Sequence, residues 1–332
     1  MTQARTDIRI RDAVTRLEGV TQETPLLAFD CADERVRLLL KLENQQVTGS
    51  FKARGAWNQL SLLTPEERER GVIATSSGNH GKALSWAAQR AGIKATIVMP
   101  ADAYPNKIAA CREFGAEVVL GDTRAEAEAI CAERVAAGAV LIHPYDAERT
   151  AQGAGTVGLE IIEQDPSVEV VVAPVGGGGL ITGVSLAVRQ EIGAGVFVLG
   201  VEPEGAASMQ RGLAAGAPVL LEEITTEVQG LCPLSSGALN VATCAETVDS
   251  VQLVTDEEVF AAQAELVRAG EVVEPAGAAT TALILSGRLP ERLLEGRSAT
   301  DPLRVVAIVS GGNPAPDQLE AVRIAQGLGE ER

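Results

Sequence analysis

The sequence predicts an α/β fold with parallel-type sheets covered by helices on both faces, and two observations carry that prediction. Short apolar, β-branched runs alternate with amphipathic stretches over most of the 332 residues. The strand runs are apolar along their whole length instead of alternating, as strands buried on both faces are. In chain order they fall near 37–42, 72–75, 95–99, 117–120, 140–143, 168–175, 196–201 and 304–309, each a run of the kind seen in Val72-Ile73-Ala74-Thr75. Helical periodicity fills the intervals near 52–60, 80–91, 105–114, 125–136, 156–164, 180–192 and 256–268. The stretch 212–244 is the least periodic and rich in small residues; it reads equally as a loop excursion near a site and as a surface connection. No Pro- or Ser-rich linker and no internal repeat divides the chain, so its length suits two lobes or one large α/β unit.

Composition excludes several classes of function. With 28 Lys+Arg against 45 Asp+Glu the formal charge is −17, which repels nucleic acid and anionic membranes. The N-terminus has no apolar targeting stretch and no apolar run reaches bilayer-spanning length, so a cytoplasmic protein is expected. Five cysteines lie scattered without a C-x-x-C pair, and the histidines are His80 and His143, which speaks against a disulfide framework or a zinc site. Catalysis would then rely on lysine, serine, asparagine, carboxylates or a cofactor.

Four segments carry chemistry. In Val47-Thr48-Gly49-Ser50-Phe51-Lys52-Ala53-Arg54-Gly55, Ser50 reads as a helix N-cap, which puts Lys52 in the first turn, where the dipole disfavours a cation. A neutral, partly buried amine there is a nucleophile able to form a Schiff base with a carbonyl; a surface lysine reaching away from the dipole reads the same. Ala173-Pro174-Val175-Gly176-Gly177-Gly178-Gly179-Leu180 follows a buried strand and opens a helix, so its backbone N–H groups can converge on a phosphate; a tight turn for helix–sheet packing is the alternative. It matches neither G-x-G-x-x-G nor a Walker loop. Thr75-Ser76-Ser77-Gly78-Asn79-His80 offers hydroxyls, an amide and helix N–H groups, which suits a carboxylate, although one such residue suffices for an N-cap. Ser310-Gly311-Gly312-Asn313 closes the last apolar strand and reads, alone, as a turn.

Taken together and in this order, from Thr24-Pro25-Leu26 to Asn313, these segments resemble the fold-type II pyridoxal-phosphate enzymes, which are tryptophan synthase β-like and two-lobed, and within them the serine/threonine dehydratase and serine racemase family. The resemblance implies that Lys52 holds pyridoxal 5'-phosphate as a Schiff base beside Phe51. It implies that Gly176, Gly177, Gly178, Gly179 and Leu180 bind the phosphate, that Asn79 bonds the ring hydroxyl, and that Ser310 faces the pyridine nitrogen. Glu274 would lie near the cofactor. Ser76, Ser77, Asn79 and His80 would clamp the substrate carboxylate, and Ser77 holds the position that acts as acid/base in the racemases. A serine at the pyridine nitrogen does not enforce its protonation, which suits β-elimination over a long-lived carbanion. The expected reaction is loss of water from a β-hydroxy amino acid such as serine, threonine, threo-3-hydroxyaspartate or an arylserine, giving a 2-oxo acid and ammonia. A racemase, or a binding protein that kept the fold without the chemistry, are the competing readings.

Departures from the family pattern bear on details. Ala206-Ala207-Ser208 stands where cation-binding members carry an acidic pair, and Glu202 alone is a poor magnesium or calcium site, so no metal is expected. Glu227-Val228-Gln229-Gly230 and Ala154 alter positions that shape the side-chain pocket, and Arg124 is a surface residue or an added charge near the clamp. The resemblance also implies a large domain of residues 1–65 and 149–332, a small mobile domain of residues 66–148 whose Ser76–His80 turn closes on substrate, and a homodimer. No appended regulatory domain follows the last strand, which suggests a catabolic role without end-product control.

Overall fold

The computed structural model describes residues 2–325 and 327. Ten strands are found among them: β1 (Leu26–Phe29), β2 (Val36–Leu42), β3 (Val72–Thr75), β4 (Ala95–Pro100), β5 (Glu117–Gly121), β6 (Val140–Leu141), β7 (Val170–Pro174), β8 (Phe197–Pro203), β9 (Ser250–Val254) and β10 (Leu303–Val309). They form a six-stranded sheet in the order β1-β2-β10-β7-β8-β9 and a four-stranded sheet in the order β5-β4-β3-β6. Every pairing is parallel except β1 with β2. The central strand β10 is paired with β2 along its full length, Leu303 opposite Val36 through Val309 opposite Leu42. It has neighbours on both sides, and its residues from Val305 to Val309 are fully buried. No helix among the described residues is long and apolar enough to cross a membrane.

The eight strands expected from apolar runs are all present, and the differences have physical causes. β1 and β9 were not expected: β1 is a sheet-edge strand whose two central residues are exposed, so it carries no continuous apolar run. The helix placed at 156–164 begins at Glu148 and runs to Gln164. Gly153, Gly155 and Gly158 disguise its first half, since glycine is a poor helix former. Those glycines permit helix–helix contact instead: a Cβ on Gly155 would stand 2.6 Å from the Gly183 carbonyl oxygen of the helix Gly179–Glu191. The weakly periodic stretch holds the end of a helix, Ser208–Ala215, and most of another, Ala238–Thr247, joined by a long loop.

Ser50 does not cap the Lys52 helix. The cap position is Phe51 with no side-chain bond, and Ser50 forms an isolated antiparallel bridge with Gly311 while its buried hydroxyl has no partner among the described residues. Lys52 nevertheless is the first residue of that helix, Lys52–Ser61.

The loops that matter leave the C-terminal ends of the parallel strands, where open α/β sheets place their ligands. β3 runs into the Ser76 turn, β6 into His143, β7 into the glycine run and β10 into Ser310.

Candidate active site

Lys52 lies against the loop that leaves β6. Its Nζ donates to the Pro144 carbonyl at 2.8 Å and stands 5.0 Å from the centroid of the Phe51 ring. Burial lowers its pKa to about 8, and the negative field of Glu274 opposes the shift. A useful fraction of the amine is therefore neutral near neutral pH, as a carbonyl-reactive lysine requires.

The strand end at Ser310 is tied to the lysine turn. Phe51 N–H donates to the Ser310 carbonyl at 3.1 Å, Gly312 N–H to the Gly49 carbonyl at 2.8 Å, and Glu274 N–H to the Gly311 carbonyl at 3.2 Å. The Ser310 hydroxyl is buried and makes, among the described residues, only a long 3.4 Å bond to the Ala276 carbonyl. Glu274 is buried at the head of the helix Pro275–Leu285, and burial raises its pKa, against the pull of the Lys107 cation and a bond from Asn79. A side chain on Gly311 would collide with the Glu274 carboxylate, so this glycine is required by close approach.

The glycine run opens the helix Gly179–Glu191, with Gly178 at φ +95°. The N–H groups of Gly177, Gly178, Gly179 and Leu180 find no acceptor among the described residues, although Gly178, Gly179 and Leu180 are buried. Orphaned buried donors at a helix N-terminus are an anion site in waiting. The Tyr145 ring packs on the Gly177 backbone so closely that a side chain there would run into it. Asn240 fastens this contact, donating to the carbonyls of Tyr145 at 3.0 Å and Gly177 at 2.8 Å. Pro144 and Tyr145 thus connect the lysine to the glycine run.

The expected carboxylate turn divides its labour unevenly. Ser76 Oγ accepts from the N–H groups of Gly78 at 3.3 Å and Gly81 at 3.1 Å, so it shapes the turn. Ser77 is half-buried and its hydroxyl has no partner among the described residues, and the N–H groups of Asn79 and His80 are equally free. The Asn79 side chain meets Glu274 Oε1 at 2.5 Å. The His80 imidazole is buried, with Nε2 at 2.8 Å from the Ile142 carbonyl. Burial first, then the Lys52 cation, depress its pKa to about 3.

That depression makes a stability prediction. A histidine with an unfolded pKa near 6.5 and a folded value near 3 contributes stability that is complete above the unfolded pKa and is lost as pH falls toward the folded one. Urea unfolding is therefore expected to show stability falling from about pH 6.5 to about pH 3, with a flatter profile in His80→Gln, whose amide can still donate to Ile142. Equal slopes in the two proteins would refute the assignment.

Arg124 is exposed at the start of the helix Arg124–Ala136. Glu202, the one acidic residue left at the family's cation position, is buried with both oxygens occupied by backbone N–H groups, Met209 at 2.7 Å and Gln210 at 2.8 Å. Burial raises its pKa to about 7 against those bonds. Among the described residues no group of three or more His, Cys, Asp or Glu could hold a metal ion. Sequence reasoning missed Pro144, Tyr145, Asn240 and Lys82. The signal available for the first two was their place just after an apolar strand, on the same sheet edge as the Ser76 turn.

A family model described as pyridoxal-phosphate dependent enzyme matches residues 16–311. The L-threonine ammonia-lyase of Thermotoga maritima is 39% identical over 324 residues, 96% of this chain and 78% of that protein. A catabolic L-threonine dehydratase of Staphylococcus aureus is 35% identical over 313 residues, 92% of this chain and 88% of its own. Maize serine racemase superposes with a TM-score of 0.87 at 31% identity, covering 98% of both chains. Threonine deaminase isoform 2 of Solanum lycopersicum superposes with a TM-score of 0.85 at 33% identity, covering 98% of this chain and 96% of that one. The orphaned donors of the glycine run suit a phosphate and the amine of Lys52 suits an aldehyde, so the residues present fit pyridoxal 5'-phosphate. By the span of the family match and the fold it shares with these relatives, this chain belongs to the pyridoxal-phosphate dependent enzymes.

Proposed function

We propose that this protein is a pyridoxal-phosphate dependent ammonia-lyase that removes water from a β-hydroxy-α-amino acid, with threonine and serine as the first candidates, giving a 2-oxo acid and ammonia. The observation that carries the reading is the pairing of a buried lysine amine with a strand-end serine instead of a carboxylate, Ser310 bonded through its carbonyl to the residue before Lys52. The threonine ammonia-lyase and dehydratase relatives support the substrate class.

In this reading Lys52, Phe51, Asn79, Glu274, Ser310 and residues Gly176 to Leu180 hold the cofactor. When bound, it supplies an electron-accepting ring conjugated to the substrate α-carbon. The free N–H groups of Asn79 and His80 and the Ser77 hydroxyl bind the substrate carboxylate at the head of the helix Asn79–Ala91, where the dipole favours an anion. Lys52 Nζ takes the proton from Cα, which its lowered pKa allows near neutral pH. Ser310 would present a hydroxyl and no negative charge to the ring, which would make the bound cofactor a weaker electron sink and favour loss of the β-hydroxyl over a long-lived carbanion; the proton taken by Lys52 would leave with that hydroxyl as water. Residues 66–148, which carry the four-stranded sheet, act as the small mobile domain, and their closure excludes water. Family membership is the support for a homodimer in the cytoplasm.

The Ser77 hydroxyl favours one second reading. Left without a partner, it can return a proton to Cα on the face opposite Lys52, which is racemisation, and maize serine racemase shares the fold. Incubation with L-threonine and L-serine is expected to release equimolar ammonia and 2-oxo acid, with recovered substrate still in the L form. Recovered D-amino acid without 2-oxo acid would replace the lyase by the racemase.

A further inference from the structure

Lys82, Asn313, Asn79 and Glu274 form a continuous relay of hydrogen bonds between the Asn79 helix and the end of β10. Lys82 Nζ donates to Asn313 Oδ1 at 2.6 Å, Asn313 Nδ2 donates to Asn79 Oδ1 at 2.8 Å, and Asn79 Nδ2 donates to Glu274 Oε1 at 2.5 Å. The relay has only one possible sense. An ammonium donates and cannot accept, so Asn313 must turn its oxygen to Lys82. On its other side Asn313 Nδ2 also meets the carbonyls of Thr48 at 3.0 Å and Gly49 at 3.2 Å, which can only accept. Asn79 must then give Asn313 its oxygen and keep its Nδ2 for Glu274.

The surroundings are cut to fit these atoms. A Cβ on Gly49, which sits at φ +74°, would lie 2.8 Å from Asn313 Oδ1, and one on Gly311 would lie 3.0 Å from Asn79 Nδ2. Lys107 donates to the Asn313 backbone carbonyl, tying the same residue to a second helix, Pro105–Glu113. A cavity of about 140 Å³ lined by Asn79, Lys82, Lys107 and Asn313 adjoins the relay. An amide's oxygen and nitrogen are nearly the same size, so packing does not set its sense and the hydrogen bonds do.

We propose that Asn313 and Lys82 are positioning residues for the reaction, fixing the Asn79 amide with its Nδ2 toward Glu274 and the cofactor edge. The proposal rests on Asn79 as a cofactor ligand, as read above. The relay joins residues of both sheets' loops, so it is complete only when the Asn79 helix is docked on the β10 end. It also supports Glu274 as a carboxylate, whose negative field raises the pKa of Lys52.

Asn313→Asp is the sharpest test, because a carboxylate accepts and cannot donate to Asn79. An atomic-resolution crystal structure of the cofactor-free variant is expected to show the Asn79 amide inverted. In the cofactor-loaded variant the pH midpoint of the visible absorption band is expected to move, with kcat reduced about fivefold, the worth of one hydrogen bond, and KM nearly unchanged. Lys82→Met is expected to move the same midpoint in the same direction, and Lys82→Gln, whose amide can donate to Asn313, to restore it. An unmoved midpoint in Asn313→Asp with Asn79 in its original sense overturns the proposal, and so does a Lys82→Gln protein that behaves as Lys82→Met. Should the wild-type protein show no cofactor band, the cofactor reading fails, and the amide orientation in the crystal decides the relay independently.

Discussion

Lys52→Ala is expected to lower the rate of 2-oxo acid release by about a thousandfold, the middle of the range for loss of a positioned general base. The residue is asked to do two things that no neighbour can take over. It must supply a neutral amine in a site where burial has brought its pKa to about 8, and it must hold that amine beside Pro144, whose neighbour Tyr145 packs on the glycine run. The other lysines near the cleft are committed elsewhere: Lys82 to Asn313 Oδ1 and Lys107 to the Asn313 carbonyl. His80 is locked on the Ile142 carbonyl with its pKa near 3, so it is neutral at working pH and offers no basic nitrogen. Stopped assays of pyruvate from serine and 2-oxobutyrate from threonine measure the effect directly. Retention of more than about a tenth of the wild-type rate would mean that another group removes the α-proton. Unfolding curves of the variant accompany the assay, because loss of the Pro144 contact alone, one hydrogen bond to a carbonyl, is expected to cost about 1 kcal/mol.

What let the sequence single out Lys52 and the glycine run is that the chemistry expected of them is local. Four consecutive glycines before a helix announce unpaired N–H groups wherever the helix goes, and a lysine at a helix start is disfavoured whatever lies around it. The strand ends were legible for a similar reason, since each apolar run stops where its loop begins. The failures are long-range. Lys52 meets Pro144 across 92 residues, and Asn313 meets Asn79 across 234, and nothing in either local segment names its partner. Ser50 was read as a cap because its neighbours fit one, yet the bridge to Gly311 claimed its backbone first. The resemblance implied that His80 helps clamp the substrate carboxylate; in the structure its imidazole is buried on the Ile142 carbonyl, while its backbone N–H has no partner among the described residues. Arg54 is the clearest case. Nothing in its own segment names a partner for it, and it is the largest fully buried side chain among the described residues.

Arg54→Met is expected to destabilise the protein by about 3–5 kcal/mol, the cost of leaving a buried carboxylate without its partner. Arg54 is 1% exposed and Glu43 and Lys41 are not exposed at all. The guanidinium donates to Glu43 at 2.7 and 2.9 Å, to Glu160 at 2.5 and 2.9 Å, to Thr156 Oγ1 at 3.1 Å and to the Gln22 carbonyl at 3.1 Å. Lys41 closes the cluster on Glu160 at 2.6 Å, with the Thr24 carbonyl at 2.7 Å. Two cations face two anions, so the quartet is neutral as built. Removing Arg54 alone leaves one ammonium for two carboxylates, with Glu43 reduced to the 2.5 Å bond from Thr24 Oγ1. Removing Glu43 as well, in Arg54→Met with Glu43→Met, leaves Lys41 and Glu160 as a balanced pair, so the double variant is expected to be more stable than the sum of the single losses predicts. Urea denaturation of the four cofactor-free proteins completes the cycle. A single variant within about 1 kcal/mol of wild type, or strict additivity of the two losses, would show that the buried charges do not depend on one another. The cluster also bears on catalysis, because it ties the helix that begins with Lys52 to the helix Glu148–Gln164 and to the end of β2. A loosened anchor there would let the lysine drift from Pro144, and the double variant, with its charges balanced again, is expected to recover activity together with stability.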